Sequence, residues 1–346
     1  MKVQLTFQRV AWLVIEGLIC MLAQLAHAEP DEVALGKNSG YPMSPGTSFM
    51  QMQYRVGSWS ALNNVPGVLS RTVQKGDHTT PLPKAVTSVD IRYRHRNIGY
   101  SLDDYLERRR ITGLLILKNG EIVAERYRYD RNDQARFLSF SMAKSVTSLL
   151  MGSALDRGLV KSIDDTAGLY VKELAETPYG QTSIRHLLRM SSGLRFTERY
   201  DGQDDTAKDR QEGAYFCFNA TLRDWGRLGH MLARDGQVGD TQVIPKAYLL
   251  DATDPARQPD AFKPYRATPW LGYGYQFWLL PQKERTFAMQ GVHGQTVFVQ
   301  PSSGIVMVQT AVYSGASGAL DPDPYAERGS FWLGVLQSLG GNTDRY

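Results

Sequence analysis

The sequence predicts an α+β fold in which an antiparallel sheet is flanked by helices. Residues 113–129 and 296–312 contain β-prone runs bounded by turn residues, so strand-forming segments lie towards both ends of the chain. The segments between them carry the periodicity and the end signals of helices. A sheet that gathers strands from both ends and packs helices on its faces is a layered arrangement that buries both kinds of apolar surface.

The N-terminal strands carry the strongest local signal. Asn119-Gly120 separates the runs 113–117 and 122–129. An Asn-Gly pair between β-prone runs is typical of a tight hairpin, because both residues accept the left-handed backbone that such a turn requires.

The remaining elements follow from helix caps, apolar spacing and turn residues. In chain order we expect a helix over 98–109 capped by Ser101, a helix that opens at Ser141 with the apolar run 146–155, short helices over 184–190 and 221–233, a strand over 274–280, strands over 296–300 and 305–312 around a turn at 301–304, and a closing helix over 326–338.

Residues 29–85 differ from the rest of the chain. They are rich in Gly, Pro, Ser and Asn and show little helical or strand periodicity, so we expect a wrapping extension with short elements. The principal domain is predicted over 86–346, and its length suits a single enzyme-sized unit.

The N-terminus has the pattern of a secretory signal peptide. Lys2 and Arg9 are followed by a largely apolar stretch, 10–25, and by a small-x-small site that ends at Ala28. We therefore expect residues 1–28 to be cleaved and the mature chain to be periplasmic or secreted. The apolar stretch is short for a spanning helix, so no membrane association is expected after cleavage.

Composition excludes several classes of function. The formal net charge of +4 is small and dispersed, which argues against nucleic-acid binding. Cys217 is the only cysteine left after residue 28, so no intramolecular disulfide is expected, and its aromatic neighbours indicate packing. The histidines and carboxylates lack metal-ligand spacing, and neither a metal nor another cofactor is expected. The oligomeric state is left open.

Ser141-Met142-Ala143-Lys144 is the only Ser-x-x-Lys in the chain. Residues three apart share a helix face, so the Lys144 ammonium is expected beside the Ser141 hydroxyl. A serine hydroxyl becomes a good nucleophile when a neighbouring base takes its proton, and a lysine serves as that base when its surroundings favour the neutral amine. The alternative is an ordinary helix start, with Ser141 as the cap and Lys144 in solvent.

Six motifs in order resemble the serine β-lactamase and penicillin-recognising superfamily, and specifically its class C-like branch, which includes 6-aminohexanoate-dimer hydrolases, esterases and D-amino-acid peptidases. The motifs, which span roughly residues 90–345, are the 114–129 hairpin, Phe140-Ser141-Met142-Ala143-Lys144-Ser145, residues 184–194, Asn219-Ala220-Thr221-Leu222-Arg223-Asp224-Trp225, residues 272–278 and Gly291-Val292-His293-Gly294-Gln295. The resemblance implies a β-lactamase/transpeptidase-like fold. It also implies that Ser141 is the acylated nucleophile and that Lys144 holds and shuttles its proton.

The same resemblance assigns the last motif to the substrate site. His293, Gly294 and Gln295 are expected at the strand position where relatives carry Lys-Thr-Gly or His-Thr-Gly. One backbone N–H from Ser141 and one from Thr296 are expected to form the oxyanion hole, in which each donor contributes about 3–4 kcal/mol. For His293 the alternative is a hydrogen bond across the sheet.

One departure from the family pattern bears on catalysis. Members place a Tyr-x-Asn or Tyr-x-Ser element after the serine helix, yet none of the 18 tyrosines here has Asn or Ser two positions later. Only residues 197–218 separate two motifs that a longer helical region joins in relatives, so the helical middle is shortened. Tyr200 and Tyr215 flank this gap and are the candidates to replace the missing phenol. Loss of one general acid–base group typically lowers rates by about 10²–10⁴.

The resemblance thus implies a serine hydrolase of small-molecule amides or esters, similar to 6-aminohexanoate-dimer hydrolase, with weakened turnover. Two alternatives stay open: a catalytically impaired scaffold, and a β-lactamase or D,D-peptidase that acts on β-lactams or peptidoglycan.

Overall fold

The computed structural model describes residues 31–74, 76–193 and 216–346. Its centre is a seven-stranded antiparallel sheet in the order β4-β3-β13-β12-β11-β10-β9. The strands of this sheet are β3 (Ile111–Lys118), β4 (Glu121–Tyr127), β9 (Gly272–Tyr273), β10 (Trp278–Leu279), β11 (Phe287–Gly291), β12 (Gln295–Gln300) and β13 (Ile305–Ala311).

Three two-stranded ribbons accompany the sheet. They pair β1 (Arg92–His95) with β2 (Ile98–Ser101), β5 (Arg136–Leu138) with β6 (Asn219–Thr221), and β7 (Gln237–Val238) with β8 (Thr241–Gln242). The helices of the described ranges are α1 (Met52–Trp59), α2 (Leu102–Arg108), α3 (Met142–Asp156), α4 (Ile184–Leu188), α5 (Leu222–Ala233), α6 (Lys246–Thr253) and α7 (Pro322–Ser338).

Strands from the two ends of the chain meet where β3 pairs with β13. The predicted hairpin is present as β3 and β4, and Asn119 and Gly120 have φ values of 53° and 85°. The antiparallel sheet with flanking helices confirms the predicted fold class.

Both faces of the sheet are buried, because helices cover each of them. On β3, Leu115 and Leu117 belong to the apolar core shared with α3 and α5. Leu114 and Ile116 point to the opposite core, which is shared with α2 and α7. Burial on both faces explains why β3 reads as a continuous apolar run rather than as an alternation.

The predicted helices occur with shifted ends. Ser101 caps α2 through a capping box with Asp104, as a helix start at this serine predicts, but residues 98–101 form strand β2 instead of a helical turn. Helix α5 begins one residue after Thr221, whose side chain accepts a hydrogen bond from the Asp224 N–H. The closing helix begins at Pro322, four residues earlier than expected.

The expected single strand over 274–280 is wrong. Strand β9 ends at Tyr273 and turns back, so that Trp278 of β10 pairs with Tyr273. Gln276 has a φ of 62° at this turn, and a left-handed residue ends a strand. Strand β11 and helix α6 are two elements that the sequence patterns did not predict.

Residues 31–74 wrap against the end of the domain where α3 begins. Val56 and Trp59 of α1 form an apolar cluster with Leu138 and Phe140, which precede that helix. The division into an extension, 29–85, and a domain, 86–346, stays a prediction. The predicted signal peptide, 1–28, lies outside the described residues. In the parts of the chain that the structure describes, no helix combines the length and apolar character needed to cross a membrane.

Candidate active site

Ser141 is the residue immediately before α3, at its N-cap position, and it follows a strained backbone position. Phe140 has a φ of 43°, a left-handed conformation that is uncommon for a bulky residue. The turn is held by Ser139, whose hydroxyl donates to the Phe140 carbonyl at 2.8 Å and accepts from the Phe218 N–H at 3.1 Å. Ribbon β5–β6 and this turn therefore set the direction in which Ser141 enters the helix.

Lys144 and Ser141 are in direct contact. The Lys144 Nζ donates to the Ser141 Oγ at 2.8 Å, and both side chains are half-buried. The Ser141 side chain makes no capping hydrogen bond to α3. The alternative of a capping serine with a solvated lysine does not describe this geometry, and the structure brings the predicted pair together.

Gly291, the last residue of β11, brings the sheet against the nucleophile turn. A Cβ added to Gly291 would lie 2.3 Å from the Ser139 carbonyl oxygen and 3.1 Å from the Ser141 nitrogen. Because real Cβ atoms do not approach so closely, the strand reaches the serine only with glycine at this position. The resemblance places residues 293–295 at the strand position beside the serine, whereas the residue that lies beside Ser141 in the structure is Gly291.

His293 lies in the turn between β11 and β12, with a φ of 59°. Its side chain is 3% exposed, its Nδ1 donates to the Tyr313 carbonyl at 2.9 Å, and Arg55 Nη1 lies 3.2 Å from the same nitrogen. Its ring packs against both Trp59 and Phe140, with centroids 5.1 Å and 5.7 Å apart. Burial, followed by the Arg55 charge, lowers the pKa of His293 from 6.5 to about 4.

The contacts of His293 therefore match the alternative of a structural hydrogen bond, here to the Tyr313 carbonyl next to the end of β13. Gly294 has a φ of 96°, and a Cβ there would lie 2.8 Å from the Tyr313 ring. A larger residue at position 294 would therefore collide with Tyr313, and packing against that ring accounts for the glycine.

Gln295 and Thr296 lie inside the sheet. The Gln295 amide bridges to β13, donating to the Ala311 carbonyl at 2.7 Å and accepting from the Ala311 N–H at 3.1 Å. Thr296 is fully buried and is paired on its two sides with Gln290 and Gln309. A strand paired on both sides has its N–H groups engaged, so this position does not favour an oxyanion donor at Thr296. Site roles for residues 293–296 stay predictions from the resemblance.

The two tyrosines proposed to replace the missing phenol, Tyr200 and Tyr215, lie outside the described residues. Cys217 is half-buried, and burial raises the pKa of its thiol to about 12. A thiol with such a pKa is not a nucleophile near neutral pH, in agreement with the packing role expected from its neighbours. No group of three potential metal ligands occurs among residues 31–74, 76–193 and 216–346.

A cleft of about 400 Å³ lies beside the serine–lysine pair. Lys144 stands at one end of its lining, which continues along the same face of α3 and across to α4. A cleft of this size is within the range of small-molecule sites.

Residues 101–225, which include the Ser-x-x-Lys, match the family model named Beta-lactamase. Over these residues the chain is similar to β-lactamases. A 6-aminohexanoate-dimer hydrolase of Paenarthrobacter ureafaciens is 29% identical over 171 residues, which are 47% of this chain and 43% of that protein. The match thus spans less than half of the curated relative.

Solved structures extend the likeness to nearly the whole fold. A proposed 6-aminohexanoate-dimer hydrolase from Bacillus anthracis superposes with a TM-score of 0.72, at 15% identity, over 88% of this chain and 98% of that one. A proposed β-lactamase from Bacteroides dorei has a TM-score of 0.56, at 13% identity, over 69% of this chain and 97% of that one. These two likenesses show the β-lactamase/transpeptidase-like fold and confirm the expected architecture.

Proposed function

We propose that this β-lactamase relative is a serine hydrolase that cleaves amide or ester bonds of small molecules through an acyl-enzyme on Ser141. The observation that carries the proposal is the 2.8 Å contact from Lys144 Nζ to Ser141 Oγ. A nucleophile within hydrogen-bond reach of a base, at a half-exposed position, is the arrangement that nucleophilic catalysis requires.

In the proposed first step, the neutral Lys144 amine takes the Ser141 proton while Ser141 Oγ bonds to the substrate carbonyl carbon. The negative charge that develops on the carbonyl oxygen lies near the Ser141 N–H at the start of the 15-residue helix α3, where the helix dipole favours an anion. The Lys144 ammonium then gives its proton to the leaving amine or alkoxide as the carbonyl–heteroatom bond breaks.

In the second step, water attacks the acyl carbon and Lys144 takes a proton from the water. The acid leaves when the Ser141 ester bond breaks, and Lys144 returns the proton to Ser141 Oγ. One lysine carries every proton transfer in this scheme, because the chain has no Tyr-x-Asn or Tyr-x-Ser. We therefore expect turnover below that of relatives with the tyrosine, by about 10²–10⁴.

A linear amide or a short ester is the proposed substrate class. The sequence likeness to a 6-aminohexanoate-dimer hydrolase supports a linear amide. β-Lactam or peptidoglycan substrates are the second candidate, favoured by the Beta-lactamase match over 101–225. An impaired scaffold is the remaining candidate, since the tyrosine element is absent. The basic and apolar N-terminal pattern supports action in the periplasm or outside the cell.

Covalent labelling tests the proposal. The purified mature chain is incubated with a reactive fluorophosphonate, and its intact mass is measured with time. We expect one adduct on the wild type and none on Ser141→Ala. Lys144→Arg keeps a cation near the serine but cannot accept its proton, so its labelling rate is expected to fall by at least about 10².

An exposed lysine provides the matched control, and Lys161→Arg is expected to label like the wild type. If the folded wild type forms no adduct, the hydrolase proposal is refuted and the scaffold is favoured. Equal labelling of Lys144→Arg and wild type would refute Lys144 as the base.

A further inference from the structure

The cleft beside Lys144 follows one face of helix α3. Lys144, Ser148 and Met151 line it, and their spacing of four and three residues places them in one row on the helix. Ser141 continues this row by one turn towards the N-terminus. The cleft therefore extends from the lysine that contacts the nucleophile towards the middle of α3.

The lining offers apolar surface rather than hydrogen-bonding groups. Ile184, Leu188 and Val160 face the cleft and are buried in the core that lies behind it. The polar side chains of the lining already hydrogen-bond within the protein: the hydroxyls of Thr147, Ser148 and Tyr170 and the amide of Gln276. Among the described residues that line the cleft, the charged side chain is that of Lys144, at one end of the cleft.

The dimensions fit an extended aliphatic chain. From Lys144 to Met151 the helix rises about 10 Å, at about 1.5 Å per residue. An extended chain of tetrahedral atoms advances about 1.2 Å per bond, so this length holds about eight bonds. The volume of about 400 Å³ leaves room for such a chain.

We propose that this cleft is the subsite for the acyl part of the substrate and that it takes an uncharged, unbranched aliphatic chain of about six to eight carbons, on the basis of its length. The inference rests on the proposed function and revises its substrate class: the acyl chain is longer than that of a short ester and carries no terminal charge. The scissile carbonyl lies at Ser141, and the chain runs past Lys144 into the cleft. A chain that ends in an ammonium group is disfavoured, because its charge would lose water without gaining a partner in the apolar lining.

Binding without turnover tests the subsite directly. Octanamide is titrated into the Ser141→Ala protein by calorimetry. We expect saturable binding that weakens at least tenfold when Ala167→Leu, which adds bulk to the lining, is combined with Ser141→Ala. Ala256 is exposed and does not line the cleft, so adding Ala256→Leu instead is expected to leave binding unchanged. Absence of saturable binding, or equal binding by all three proteins, would overturn the proposal even if Ser141 is acylated.

Turnover of p-nitrophenyl esters from acetyl to decanoyl provides the second readout. One buried methylene is worth about fourfold (about 0.8 kcal/mol), so kcat/KM is expected to rise by about 10² from the butyryl to the octanoyl ester. Hexanoyl should exceed 6-aminohexanoyl by at least tenfold. Ala167→Leu should move the optimum to shorter chains, and Met151→Ala to longer ones, which keeps the test open if one variant fails to fold.

The two proposals fail in different ways. Chain-independent rates on an enzyme that labels at Ser141, or a preference for the 6-aminohexanoyl ester, would overturn the subsite and leave the hydrolase. No labelling of Ser141 would refute the hydrolase, and the octanamide titration would then decide the subsite alone.

Discussion

Protonation of His293 is predicted to limit stability in acid. The ring is 3% exposed, packs against Trp59 and Phe140, and has Arg55 Nη1 3.2 Å from its Nδ1. A proton added to this ring would place a second positive charge beside the guanidinium, away from water. Burial and Arg55 accordingly lower the pKa of His293 to about 4 in the folded protein, from 6.5.

The size of the effect follows from this difference in pKa. The unfolded chain takes up the proton near pH 6.5, whereas the folded chain resists it until about pH 4. The stabilisation is fully present above pH 6.5 and is lost as the pH falls towards 4. A shift of about 2.5 pKa units corresponds to about 3 kcal/mol in the free energy of unfolding.

Urea denaturation between pH 7.5 and pH 4 measures this loss. Other groups also titrate in that range, so the informative quantity is the difference between wild type and His293→Asn, which tolerates the left-handed backbone at this position. We expect the variant to lack about 3 kcal/mol of the acid-induced loss. His78→Asn, at an exposed site, should behave like the wild type. The same pH dependence in wild type and His293→Asn would refute the reasoning.

Two further predictions concern the strand beside the serine and a buried charge. Gly291→Ala places a Cβ 2.3 Å from a carbonyl oxygen of the nucleophile turn, which forces a shift of about 1 Å and should slow labelling of Ser141 by about 10². Gly99→Ala, which points into open space, should label normally, and equal rates for the two variants would contradict this view of β11. Glu327 is fully buried between two arginines, so Glu327→Gln should lose about 3–5 kcal/mol in thermal unfolding. Asp251→Asn, in an exposed pair, should lose under about 1 kcal/mol; a similar loss in both would count against the buried network.

Features that depend on neighbouring residues in the chain could be predicted from the sequence. The Asn119-Gly120 turn that joins Lys118 to Glu121, the Ser101 cap on Asp104 and the contact between Ser141 and Lys144 each link residues that are three positions apart. Their geometry follows from turn and helix rules alone.

Features that depend on strand register could not be predicted in the same way. Motif resemblance placed His293 at the strand beside the serine, but the strand ends at Gly291 and His293 turns away from it. A displacement of two residues changes which backbone reaches the nucleophile, and that register is set by pairing between β11 and β12. The turn at Gln276 lies between β9 and β10, where a single strand was expected. The residue with the left-handed backbone is a glutamine rather than a Gly or Pro, so the sequence does not mark this turn.

The role of the N-terminal extension follows from the strain at Phe140. A left-handed bulky residue costs about 1–3 kcal/mol and persists only where its surroundings enforce it. Trp59 of α1 packs edge-on against the Phe140 ring, with centroids 4.8 Å apart, and its indole N–H donates to the Phe49 carbonyl at 2.9 Å. Val56 completes the same apolar cluster. The extension thus packs against Phe140, the residue that sets the direction of Ser141. Its composition predicts only a loose wrapping, yet these contacts support the geometry on which the proposed chemistry depends.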